Sequence, residues 1–152
     1  MTPKIRRMTL DDVGDVVALE KICFSSDAWC ADDFIYRLNF ASKAGGDGFL
    51  SLCAEADGRF CGYIALYSQL GETDIDSLAV SPEMRNRGVA RALLQETERL
   101  CRPERIILEV RESNTPAKCL YESEGYRVIA KRRGYYDLPP EDALIMEKLI
   151  KY

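Results

Sequence analysis

One segment constrains this chain more than any other: Asp76-Ser77-Leu78-Ala79-Val80-Ser81-Pro82-Glu83-Met84-Arg85-Asn86-Arg87-Gly88-Val89-Ala90. An apolar, strand-like run ends at Ser81-Pro82, and polar residues then lead to Gly88. Beyond the glycine the period changes, because Val89, Ala90, Leu93, Leu94, Thr97 and Leu100 fall on one helical face. The segment therefore reads as strand, tight turn and helix start. A helix start carries free backbone N–H groups and the positive end of the helix dipole, so it attracts phosphate. Gly88 lets the backbone approach a pyrophosphate, Ala90 is too small to block it, and Arg85, Arg87 and Arg91 add positive charge. The Gly-Lys-Ser/Thr ending of a P-loop is missing, so the expected cradle is of another kind.

The flanking sequence arranges itself around that turn. Residues 4–8 read as a first strand. Thr9-Leu10-Asp11-Asp12 resembles a capping box for a helix running to about Cys23, with Val13, Val16, Val17 and Glu20 at helical spacing. A second helix is expected over residues 31–40, burying Phe34, Ile35 and Leu38, followed by a loop at residues 44–48. Strands over residues 49–55 and 60–68 meet at Asp57-Gly58, a strong hairpin signal, and residues 73–80 continue the meander. A strand at residues 105–110 leads to a helix opening at Thr115-Pro116, threonine as cap and proline first in the helix, and closing near Gly125. Strands at residues 126–133 and 142–149 flank a loop with Pro139-Pro140. The order β-α-α-β-β-β-α-β-α-β-β, without a repeat or interior linker, predicts an α/β fold: one domain over residues 1–152, a central mixed β-sheet flanked by helices.

Composition narrows the chemistry. The 152 residues contain no histidine, which excludes Ser-His and Cys-His nucleophilic machinery and the commonest zinc ligand. A general base must be a carboxylate, lysine, tyrosine, thiolate or water. Cys23, Cys30, Cys53, Cys61, Cys101 and Cys119 form no CxxC pair, so buried free thiols and no metal site are expected. The net charge of −4 argues against direct nucleic-acid binding, and Lys131-Arg132-Arg133 is read as a solvated strand end. With no membrane-spanning run and no leader, the expected location is cytoplasmic.

A second constellation is Leu108-Glu109-Val110-Arg111-Glu112-Ser113-Asn114, followed by Leu120-Tyr121-Glu122 and Gly125-Tyr126. Glu109 interrupts an apolar strand. It must find partners, shift its pKa upward or face a water-filled cleft; an arginine salt bridge is the plain alternative to a chemical role. Tyr121 fits either core packing or an acid, and Asn114 fits a turn or cap. Together with Leu78-Ala79-Val80, the R-x-x-G-x-A pattern from Arg85 to Ala90, Arg133-Gly134-Tyr135-Tyr136 and Glu141-Asp142-Ala143, these stretches resemble the GNAT superfamily, specifically its RimI-type and related archaeal N-terminal acetyltransferases. Ala28-Trp29 with Phe34 is similar to that family's Pro-Trp-Ser…Phe segment.

The resemblance implies acetyl-CoA as co-substrate and a protein N-terminus as acceptor, the RimI type pointing to the N-terminal alanine of a small-subunit ribosomal protein. It implies Glu109 as general base and Tyr121 as general acid. Leu78, Ala79 and Val80 would hold the acetyl-pantetheine arm through their backbone. Asn86, Arg87, Gly88, Val89, Ala90 and Arg91 would cradle the pyrophosphate, and Asn114 would contact the cofactor. Departures cluster on the acceptor side: Cys30 replaces a serine, Asp27-Ala28 alters the approach to the tryptophan, and the 135–141 loop carries two prolines. Asp27, Asp137, Glu141 and Asp142 would suit a basic peptide. A small amine or lysine side chain as acceptor, and a non-catalytic acyl-CoA sensor, are the competing readings.

Overall fold

The computed structural model describes residues 2–24, 27–42 and 46–151. The strands are β1 (Lys4–Arg7), β2 (Gly48–Ala56), β3 (Arg59–Gln69), β4 (Glu72–Val80), β5 (Arg105–Arg111), β6 (Arg127–Asp137) and β7 (Pro140–Leu149), with β2 and β3 buried along most of their length and β6 exposed. They join in one sheet in the order β1-β2-β3-β4-β5-β7-β6. The β2–β3 turn has positive φ at Asp57 (53°) and Gly58 (76°), the two signs a two-residue hairpin requires. Leu70 and Gly71, at 51° and 83°, close β3 onto β4 in the same way, and there the leucine carried no signal in the sequence.

The helices are α1 (Val13–Phe24), α2 (Ala31–Asn39), α3 (Val89–Cys101) and α4 (Thr115–Ser123). Successive strand residues point to opposite faces, so the sheet carries two cores. Leu52, Ile64, Leu66, Ile106, Leu108 and Met146 face α3 and α4, where Val89, Leu93, Leu94 and Tyr121 meet them. Cys53, Tyr63, Ala65 and Ala79 face α1 and α2, against Val16, Leu19 and Phe34.

Several expectations are corrected. Asn114, not Thr115, caps α4: its side chain accepts the Ala117 N–H at 3.2 Å, which moves Pro116 to the second helical position. The Pro139-Pro140 loop is the tip of a hairpin, with Tyr136 paired to Glu141 and Asp137 to Pro140. In the expected 44–48 loop, Gly48 opens β2, while residues 44 and 45 lie outside the described residues. Of the six thiols only Cys53 and Cys61 are buried, and Cys30 and Cys119 are exposed. No helix among the described residues is long and apolar enough to cross a membrane.

Candidate active site

The site begins where two parallel strands part. β4 pairs with β3 along its whole length but with β5 only from Glu72↔Arg105 to Ile75↔Leu108. The β3–β4 register shifts at this point, leaving Asp76 as an extra residue between the Ile75 and Ser77 rungs. Such a bulge bends its strand and increases its twist. Residues 76–80 therefore diverge from β5 and leave backbone groups on that edge without a strand partner. The opening widens into a cleft of about 840 Å³ whose walls include Leu78, Ala79, Val80, Asn114, Leu120 and Tyr121.

The turn after β4 closes one end of the cleft. Asn86 (φ 62°) and Gly88 (φ 82°) adopt left-handed backbone, and Gly88 is the N-cap of α3. Ala92 N–H is bonded to Gly88 O, so the N–H groups of Val89, Ala90 and Arg91 have no intrahelical acceptor. Asn86, Gly88, Val89, Ala90 and Arg91 line the cleft. Gly62 permits the arrangement from below: a Cβ there would lie 2.8 Å from Ala79 O and 3.3 Å from Val89 Cγ1, so only glycine lets α3 approach the sheet this closely. The arginines divide. Arg85 turns back, Nε to Val80 O at 3.2 Å and Nη2 to Cys23 Sγ at 3.4 Å, and fastens the turn to α1. Arg91 reaches Glu124 at 3.3 Å while half exposed, and Arg87 is exposed.

Glu109 is the first residue of β5 beyond the last rung with β4, at the crotch of the fork. Its neighbours Leu108 and Val110 point into the α3–α4 core, which turns Glu109 to the opposite face. There its Oε1 accepts from Arg132 Nη1 at 3.1 Å and its side chain stays 30% exposed, enough for water to reach it. The Glu109 carboxylate also lies near the Tyr135 phenol and raises its pKa. The plain reading, a carboxylate paired to an arginine, thus holds alongside its position at the fork, and Arg132 is more than a solvated strand end. Tyr121 comes from the other side of the sheet, on α4. It is buried, its ring 5.5 Å from Tyr126, and it also lines the cleft. Burial pushes its pKa up, so the phenol remains a proton donor at neutral pH.

Two features escaped the sequence. Glu20, counted there only as a residue at helical spacing, is 1% exposed and accepts from Tyr63 Oη, Ser77 Oγ (2.8 Å) and Trp29 N–H (2.7 Å). Arg111 joins both expected acceptor walls. It pairs with Asp27 and with Glu141 (3.2 Å), donates to Pro139 O (3.1 Å), and lies 4.1 Å from the Tyr136 ring centroid. Its signal was available, since it also faces away from the α3–α4 core, but its partners are distant in the chain.

A forked parallel pair above a glycine-capped helix start suits a long ligand that lays an extended arm on the free β4 edge and a phosphate at the helix start. Residues 14–126 match the family model described as acetyltransferase (GNAT) family, and this chain belongs to that family and is an acetyltransferase. It is 33% identical over 145 residues to a Bacillus subtilis (strain 168) protein provisionally named a ribosomal protein bS18-alanine N-acetyltransferase, covering 93% of this chain and 92% of the relative. The structure is similar to the ribosomal-protein-S18-alanine N-acetyltransferase of Escherichia coli, with a TM-score of 0.84, 26% identity and coverage of 99% and 96%. Ard1 from Thermoplasma volcanium shares the fold, with a TM-score of 0.86 at 20% identity and 100% of both chains covered.

Proposed function

We propose that this acetyltransferase moves the acetyl group of acetyl-CoA to the N-terminal amino group of a protein, the N-terminal alanine of a small-subunit ribosomal protein being the favoured acceptor. The observation that carries the reading is the position of Glu109: a partly solvated carboxylate at the crotch of the fork, on the face opposite the α4 phenol. The names of the relatives favour the alanine acceptor.

The residues present fit acetyl-CoA. The unpaired N–H groups of Val89, Ala90 and Arg91, with Gly88 beside them and the Arg87 and Arg91 side chains exposed nearby, suit a pyrophosphate. The free edge at Leu78, Ala79 and Val80 suits the amides of an extended pantetheine arm. Asn86 shapes the turn, and Asn114 stands at the cleft as the α4 cap. Acetyl-CoA supplies the acetyl group as an activated thioester. An α-amino group has a pKa near ~8, so only modest help is needed to deprotonate it at neutral pH. Glu109 accepts that proton, directly or through a water. Backbone N–H groups on the β4 edge stabilise the negative charge that develops on the carbonyl oxygen. Tyr121 gives its proton to the departing sulfur. Asp27 and Glu141 are already paired with Arg111, so Asp137 and Asp142 are the acidic groups left to favour a basic peptide.

Thiol release from acetyl-CoA, measured with short peptides that differ only in the first residue, tests the proposal. An N-terminal alanine should be preferred. Glu109→Gln and Tyr121→Phe should each lower kcat/KM by about 10²-fold or more, with acetyl-CoA still bound. Turnover with polyamines but with no peptide would overturn the acceptor, and full peptide activity in Glu109→Gln would overturn the base.

A further inference from the structure

The buried Glu20 cluster has no part in the chemistry above, yet at 1% exposure Glu20 is the most completely enclosed carboxylate among the described residues. Removing a carboxylate from water costs several kcal/mol, and apolar side chains often fill such a space as well or better. A carboxylate offers directed acceptors instead. Here Oε1 takes the hydroxyls of Tyr63 on β3 and Ser77 on β4, themselves 2.8 Å apart, while Oε2 takes the Trp29 N–H just before α2. One side chain thus ties together three separate stretches of backbone.

What it ties together matters for the acceptor. Ser77 closes the β4 bulge and adjoins Leu78, where the free edge begins. Trp29 belongs to the α1–α2 segment, which Arg111 joins to the β6–β7 hairpin through Asp27. A second, parallel tie runs beside the first: Asp76, the extra residue of the bulge, pairs with Arg37 at 2.6 Å, and the Arg37 guanidinium lies 4.6 Å from the Trp29 ring centroid. Both bulge residues are therefore linked to Trp29, one through Glu20 to its backbone and one through Arg37 to its ring.

Building on the acetyltransferase reading above, we propose that Glu20 is a positioning residue: it sets the acceptor wall at Trp29 against the β4 bulge, and so fixes where the incoming amine sits relative to the fork. Glu20 touches neither substrate. Glu20→Met removes all three bonds at similar length. Glu20→Gln can still give its oxygen to the Trp29 N–H while its amide donates to the two hydroxyls, so it serves as the rescuing variant. Trp29 is the only tryptophan, so fluorescence reports this wall directly.

Peptide kinetics, acetyl-CoA affinity and acrylamide quenching of Trp29 are measured in wild type and in both variants. Glu20→Met should raise peptide KM about tenfold or more, leave kcat within about threefold and acetyl-CoA affinity within about twofold, and make Trp29 more quenchable, with Glu20→Gln close to wild type. Should Glu20→Met fail to fold, Ser77→Ala, which removes a single anchor, should give smaller changes of the same sign. Unchanged KM and quenching in the folded variant, or a fall in kcat alone, would overturn the proposal. Absence of peptide turnover in the wild type would overturn the acceptor reading instead. Trp29 quenching then decides the Glu20 proposal by itself, and no change between wild type and Glu20→Met sinks it.

Discussion

Asp12 accepts two bonds from the Arg6 guanidinium, at 2.7 and 2.8 Å, and a third from Thr9 N–H at 2.7 Å. This pairing holds its carboxyl down at about 2, against an ordinary 3.8. A depressed carboxyl pKa means the folded state favours the charged form. The stabilisation is therefore present above about pH 4 and is lost as pH falls through about 2. Asp12→Asn should cost roughly 1–2 kcal/mol at pH 7, allowing for screening at the partly exposed Arg6, and the gap from wild type in urea unfolding should close toward pH 2. Gly62 is constrained by contact instead of charge. A methyl group there would press on Ala79 O, a backbone atom that cannot rotate away, so Gly62→Ala should destabilise by roughly 1–3 kcal/mol in the same assay.

At the scale of elements, the two helices beside the cleft begin in different ways. α4 starts with a side-chain cap at Asn114, and Asn114→Ala should cost about 1 kcal/mol in thermal unfolding. α3 starts with a bare glycine at φ 82°, where no side chain competes for the free N–H groups. Nothing lies within 4 Å of a Cβ built on Gly88, so space is available and only backbone strain opposes a substitution. Gly88→Ala should cost roughly 1–2 kcal/mol of stability. Calorimetric titration should also show weaker acetyl-CoA binding, because the strained turn no longer aims its N–H groups. Both helix starts were legible in the sequence as local patterns. Which of Thr115 and Asn114 caps α4, both being read as capable of it, was not, because the path of the chain leaving β5 chooses between them.

Across the whole molecule, the α1–α2 segment and the β6–β7 hairpin are held together by Arg111. Its contacts with Asp27, Glu141, Pro139 and Tyr136 close one side of the proposed acceptor face. Arg111→Met keeps the bulk and removes the charge pairs. It should raise peptide KM several-fold, with acetyl-CoA affinity little changed, because the cofactor cradle lies on the other side of the fork. The effect should shrink as salt rises, since salt already weakens these partly exposed pairs in the wild type.

Local chemistry was enough to read the order of strands and helices, the hairpin at Asp57-Gly58, the cradle at Gly88 and Glu109 as a carboxylate out of place, whereas joining Glu109 with Tyr121 as base and acid came only from the family resemblance. The local readings rest on periodicity, on a backbone angle only certain residues accept, or on a residue type out of place in its own strand. Tertiary structure alone decided where β4 leaves β5, which face Glu109 meets, that Arg85 turns back to α1, and that Glu20 is buried. Those outcomes depend on partners far away in the chain: Glu20 meets Ser77 across 57 residues, and Arg111 meets Asp27 across 84. Near neighbours decide how a stretch of backbone coils or extends. The partner of a buried charge is decided only when the whole sheet brings distant segments together.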